Sequence, residues 1–195
     1  MADVLGLDPA RIERLRNPAR YEQVNPERVW DVVERPSTGV IVDVGAGVGF
    51  VTLPLARSAS GCTVVACDVL QGMLDLLRED ATERGLNNVE CRLMDNPSRL
   101  PLSDGAANAI VMLQVHHELG EPQALVSDCC RALAPGSPLL IVDWKDEELE
   151  GVPPAGRRVA AATIASQLRL GGFEDVGEHA LFTHHSCVVG YAPRA

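Results

Sequence analysis

Apolar residues in this chain come in short, dense runs separated by polar and glycine-rich stretches. The run at 40–44, Val40-Ile41-Val42-Asp43-Val44, is β-branched at four of its five positions and reads as a strand buried on both faces. Thr63-Val64-Val65-Ala66-Cys67 reads as a second strand ending at Asp68, 89–94 as a third, 109–115 as a fourth and 139–144 as a fifth. Between them the apolar spacing becomes helical. Met73, Leu74, Leu77 and Ala81 form one stripe, 121–133 is amphipathic and stops at Pro135-Gly136, and a helix should follow the first strand to about Ser58.

The ends of the chain follow the same rules. Asp8-Pro9 and Asn25-Pro26 each set an N-cap before a proline, which predicts helices over 9–16 and 26–35, the second with Val29, Val32 and Val33 as its stripe. Near the C-terminus a charged loop at 145–154 leads to a helix at 156–170, closed by Gly171-Gly172. Strands at 174–183 and 186–192 should follow, turned at His184-His185, which are read as exposed turn residues.

Candidate chemistry concentrates after the first strand. Asp43 precedes Gly45, Gly47 and Gly49, and an apolar stretch long enough for a helix follows. Such glycines permit a sharp turn and let a ligand approach the backbone, while the helix beyond presents free N–H groups. A dinucleotide-binding turn reads G-x-G-x-x-G, whereas here glycines occupy alternate positions. Asp68 falls 19 residues after Gly49, where a ribose-binding acid belongs, and a carboxylate accepts from two vicinal hydroxyls at once. A tight turn with no ligand is the plainer alternative for the glycines, and plain core packing the alternative for Met73.

Asp43-x-Gly45-x-Gly47-x-Gly49 resembles the nucleotide-binding motif of class I S-adenosylmethionine-dependent methyltransferases. Further matches follow in order along residues 40 to 192. The stretch 68–74 is similar to that family's D-x-S-x-x-M-L, 100–105 to its L-P-F-x-D-G turn, 116–119 to a strand ending in L-H-H-L, and 133–143 to L-x-P-G-G-x-L-x-x-x-D. The chain departs from the family at Asn96, usually alanine, and at Ala107-Asn108, usually Phe-Asp. The resemblance implies a Rossmann-like α/β fold: a seven-stranded, mostly parallel sheet with helices on both faces and a C-terminal antiparallel β-hairpin. It implies one domain over 1–195, with a helical cap at 1–38 and a cofactor-binding core at 39–195.

It also implies site roles. S-adenosyl-L-methionine would lie along Gly45, Ala46, Gly47 and Gly49 with its amino group near Asp43. Asp68 would hold the ribose, Met73, Asp95 and Asn96 would meet the adenine, and Val69 together with Gln114 and Val115 at the end of strand four would complete the cofactor-binding set. His116 and His117 are candidates to orient a small-molecule acceptor or take its proton, against the alternative that one caps a helix and the other packs. The segment around Arg20-Tyr21 precedes the first strand and is placed to fold over the strand ends. That makes Tyr21 a third catalytic candidate, with simple packing as its alternative.

Composition narrows the function further. The 195 residues carry a formal net charge of −10, which disfavours nucleic acid as a partner. No apolar run reaches the ~20 residues of a membrane span, and the N-terminus lacks a secretory pattern, so a soluble cytoplasmic protein is expected. Six cysteines without a C-x-x-C pair read as reduced thiols, and no metal site is expected. The [DN]-P-P-[YF] signature of amino-group methyltransferases is missing from strand four. The function expected is methyl transfer from S-adenosylmethionine to a small molecule. Non-catalytic binding of that ligand and a nicotinamide-dependent oxidoreductase are the alternatives, and monomer or homodimer stays open.

Overall fold

The computed structural model describes residues 8–147 and 158–194. The first seven residues, most of the charged loop expected at 145–154 and the first two residues of the helix expected over 156–170 therefore lie outside the described residues; residues 158–160 are not helical, and that helix begins at Ala161. Seven strands form one sheet: β1 (Gly39–Val44), β2 (Cys62–Asp68), β3 (Val89–Leu93), β4 (Ala109–Leu113), β5 (Pro138–Trp144), β6 (Glu174–His179) and β7 (His185–Tyr191). Their spatial order is β3-β2-β1-β4-β5-β7-β6. The first five run parallel, while β7 pairs antiparallel with both β5 and β6.

Six α-helices occur among the described residues: α1 (Pro9–Arg16), α2 (Arg20–Gln23), α3 (Thr52–Ser58), α4 (Gln71–Glu83), α5 (Pro122–Ala132) and α6 (Ala161–Leu170). Strand alternation divides the core between the two faces. Val42, Val65, Ile110, Ile141 and Val188 pack with Leu125 and Cys129 of α5 and Ile164 and Leu168 of α6. Ile41, Val64, Val111, Leu140 and Val189 pack with Leu55 and Ala56 of α3, and Leu77 of α4 joins Ala66 on that side. Both faces are thus covered, which explains why the central strands read as unbroken apolar runs. β3, at one edge, keeps an alternating Val-Glu-Cys-Arg-Leu pattern. None of the described helices is long and apolar enough to cross a membrane.

The structure corrects several local expectations, among them the strand expected over 174–183, which ends at His179. Pro26–Asp31 is a six-residue 3₁₀ helix, because Val29, Val32 and Val33 crowd the continuing turns and Pro36 follows shortly after. A short helix, α2, forms at Arg20–Gln23. Strand four ends at Leu113, since Gln114 adopts a left-handed conformation with φ 57°. His185 is not an exposed turn residue. It is 1% exposed, it opens β7 opposite Trp144, and it stacks on that indole at 4.2 Å between ring centroids. Only His184, partly exposed, belongs to the turn.

Gly49 shows how tightly the first turn is packed against α4. A Cβ there would lie 2.3 Å from Leu77 Cδ1 and 2.9 Å from Leu53 Cγ, at φ +90°. Gly49→Ala should therefore cost about 2–4 kcal/mol through overpacking and left-handed strain. Chemical denaturation tests this, and a midpoint equal to that of the parent would contradict it.

Candidate functional site

β1 lies between β2 and β4, so the chain's crossovers leave to either side of it and open a crevice at the carboxyl ends of β1 and β4. A cavity of about 500 Å³ occupies this crevice. The turn after β1 forms its floor. Gly45 N and Ala46 N both donate to Cys67 O, at 2.8 and 3.1 Å. Asp68 Oδ2 accepts from Gly47 N at 2.8 Å, and Asp68 Oδ1 accepts from Leu70 N at 2.9 Å. One carboxylate thus joins the glycine turn to the turn after β2. At Gly47 no atom lies within 4 Å of where a Cβ would be, so the backbone there presents open space to the cavity.

Asp43 is 2% exposed and accepts from Thr52 Oγ1 at 2.6 Å. Burial pushes its carboxyl up from 3.8 to about 7, with the charge of Asp68 adding to the shift and the Thr52 hydroxyl opposing it. Thr52 itself is wholly buried, so this pair sits beneath the turn.

The N-terminal segment supplies another wall. Arg20 reaches over the turn, its guanidinium 3.9 Å from the Phe50 ring centroid. It donates to Leu15 O at 2.8 Å and to Gln114 Oε1 at 2.6 Å, both neutral oxygens, and burial lowers its pKa. Arg11 and Leu15 of α1 also line the cavity, with Arg11 3.8 Å from Glu118 on the far side.

Of the residues proposed from sequence, Asp43, Gly45, Ala46, Gly47, Asp68, Val69, Met73, Asn96, Gln114 and Val115 line this one cavity. Met73 is also 1% exposed, so it serves the core and the cavity wall together. Gly49 lies behind the turn, Asp95 is exposed beside the cavity rather than in its lining, and Tyr21 stacks on Phe50 at 4.7 Å. Neither histidine lines the cavity. His116 is 2% exposed, and burial lowers its pKa while the charge of Asp143 and the neighbouring Gln167 side chain raise it. His117 is paired with Asp143. Its Nδ1 lies 2.7 Å from Asp143 Oδ1, its backbone N donates to Asp143 Oδ2 at 2.9 Å, and its Nε2 is 3.8 Å from Glu118 Oε1. Glu118 does line the cavity.

Arg20, Arg11, Phe50, Thr52, Glu118 and Asp143 escaped the sequence reading as site residues. Arg20 adjoins the proposed Tyr21 with no local spacing to distinguish it, while Asp143 closes the motif at 133–143 with no role attached to it there. Among the described residues, no group of three or more His, Cys, Asp or Glu side chains is arranged to hold a metal ion.

Asp43 makes stability pH-dependent in a defined direction. The native state binds this proton more tightly than the unfolded chain, so the contribution is full below about pH 4 and is lost as pH rises through about 7. Denaturation at pH 5 and pH 8 should show that Asp43→Asn narrows the difference between the two. An unchanged difference would show that the carboxyl titrates normally.

Residues 41–136 match the methyltransferase domain family. The demethylmenaquinone methyltransferase of Thermus thermophilus is 30% identical over 118 residues, covering 60% of this chain and 52% of that protein. The chain thus spans about half the length of this curated relative. Among solved structures, an S-adenosylmethionine-dependent methyltransferase from Aquifex aeolicus superposes with a TM-score of 0.88 at 29% identity, covering 95% of this chain and 99% of that one. The [4+2]-cyclase SpnF shares the fold at a TM-score of 0.74 and 21% identity, covering 87% of this chain and 80% of that one.

Proposed function

We propose, proceeding from a chain that belongs to the class I S-adenosylmethionine-dependent methyltransferases, that this protein transfers the methyl group of that cofactor to a small-molecule acceptor. The observation that carries the reading is a single cavity bringing together Asp43, Gly47, Asp68 and Arg20. The groups present match the cofactor's parts. Asp68, each oxygen already holding one backbone N–H, keeps lone pairs for ribose hydroxyls. The open backbone at Gly47 takes the chain of the methionine part. Arg20, a half-buried cation bonded to neutral oxygens, suits a carboxylate. Asp43 suits an ammonium.

When bound, the cofactor supplies a methyl group already activated by its sulfonium. The protein's own work is then to bind, align and exclude water. Phe50, Leu15, Leu119 and Leu125 give the cavity apolar walls. On the acceptor side we assign His117 the proton of a hydroxyl acceptor, its ring standing 3.8 Å behind Glu118 of the cavity wall rather than in the lining itself. The Asp143 carboxylate accepts from Nδ1–H, which orients the ring and stabilises its protonated form. The name of the Thermus relative gives a quinone as its acceptor, and a small organic acceptor is the class proposed here. The net charge of −10 supports excluding nucleic acid, and six free cysteines fit a reducing cytoplasm.

Calorimetry should show binding of S-adenosylhomocysteine and little of NAD; the reverse preference would overturn the reading. Release of S-adenosylhomocysteine across an acceptor panel separates an enzyme from a protein that only binds the cofactor.

Asp43 predicts a proton linkage in this binding. Below about pH 7 the free site holds a neutral carboxyl, and an arriving ammonium displaces its proton. Affinity should rise with pH up to about 7 and level off above it. Titrations in buffers of different ionisation enthalpy should reveal proton release, absent in Asp43→Asn. No release in the parent protein would place the ammonium elsewhere.

For the acceptor side, His117→Ala and Asp143→Asn should each lower kcat about a hundredfold or more with a hydroxyl acceptor, leaving S-adenosylhomocysteine affinity nearly unchanged. His116→Ala should instead lower the melting temperature and spare kcat. Equal losses of kcat from both histidines would contradict the assignment.

A further inference from the structure

Gln114 leaves β4 in a left-handed conformation that a residue with a Cβ adopts at a cost, yet its N still donates to Val142 O at 2.7 Å. The twist carries its side chain between the cavity and β7. There the amide makes two contacts: Oε1 with Arg20 at 2.6 Å and Nε2 with His185 Nε2 at 2.8 Å.

Donor chemistry sets every proton in this chain of contacts. A guanidinium only donates, so the amide oxygen must face Arg20 and the amide NH₂ must face His185. An NH₂ group also only donates, so His185 Nε2 is the unprotonated nitrogen and Nδ1 carries the hydrogen. Burial holds the ring neutral, with its pKa pushed down to about 4. Nδ1 has no hydrogen-bond partner among the described residues, and the ring is packed against Trp144 with Phe182 edge-on at 6.2 Å. A phenyl ring would fill this space without stranding a buried donor. What the imidazole adds is the lone pair that Gln114 uses.

We infer that His185 is a positioning residue for carboxylate binding: through Gln114 it holds Arg20 aimed at the carboxylate of the sulfur cofactor. The inference rests on the cavity being the S-adenosylmethionine site proposed above. His185 touches no ligand. It lies in the antiparallel strand β7, outside the cavity lining, and acts through two hydrogen bonds.

Two ligands separate this role from simple packing. S-adenosylhomocysteine carries the amino-acid end, whereas 5′-methylthioadenosine keeps the adenosine and sulfur but lacks that end. His185→Phe preserves an aromatic ring beside Trp144 and removes the acceptor. Its Kd for S-adenosylhomocysteine should rise about three- to tenfold, the effect of one neutral hydrogen bond, while its Kd for 5′-methylthioadenosine stays the same. In an Arg20→Gln background, His185→Phe should have no further effect. Equal weakening of both ligands, additive losses with Arg20→Gln, or unchanged S-adenosylhomocysteine binding would each overturn the inference. A parent protein that binds neither ligand would instead overturn the cofactor reading on which it rests. Should His185→Phe not fold, ¹⁵N resonances of the parent protein's imidazoles decide the point. The relay requires His185 Nε2 to be unprotonated at neutral pH, and a protonated Nε2 overturns it.

Discussion

The cavity depends on one carboxylate reaching in two directions. Asp68 ends β2 and accepts backbone N–H groups from Gly47 and Leu70, in turns belonging to different βα units. A buried N–H without a partner is costly, so each turn is held in the shape that meets this acceptor. The sheet places those turns side by side because β1 and β2 are parallel neighbours and Gly45 and Ala46 share Cys67 O. Covered on both faces, a parallel sheet has its carboxyl ends left for a ligand, and the reversal of strand order at β1 opens the gap there.

Charge in the cavity runs against the character of the whole chain. A protein of net charge −10 places a half-buried guanidinium in its cavity, bonded to carbonyl and amide oxygens. Nearby, an acid is buried deeply enough to hold its proton near neutrality. Each group is poorly compensated by the protein around it, and the two defects are of opposite sign. A zwitterionic amino-acid moiety carries a charge of each sign, which is the match the proposed function draws on.

The wall contributed by the N-terminal segment is held differently from the sheet. α1 buries none of its residues and is tied down by Arg16 on Asp80 at 2.9 Å and Arg11 near Glu118 at 3.8 Å. Exposed pairs of this kind contribute little and weaken with salt. The same segment carries Arg20, whose stacking on Phe50 and bond to Gln114 give it a firmer hold one turn further on. One wall of the cavity thus rests on α1 and α2, neither of which buries a residue, and local opening costs least in such elements.

The elements themselves were legible from local pattern. Buried strands read as β-branched runs, the glycine turn read from its spacing, and Asp43 and Asp68 stood at strand ends where the chain must turn. Those features depend on neighbours within a few residues, and sequence reports such neighbours directly. What tertiary structure decided was the set of long-range partners. Arg20 meets Gln114 across 94 residues, Gln114 meets His185 across 71, and His117 meets Asp143 across 26. His185 looked like a turn residue because a polar pair before a strand is ambiguous by one position, and only pairing with Trp144 buries it. Register in a sheet follows from the facing strand, and the direction of a side chain near its end follows from register. A sequence therefore determined where this protein's glycine turn and core lie, while the packing of β7 and the N-terminal segment decided which distant side chains meet beside the cavity.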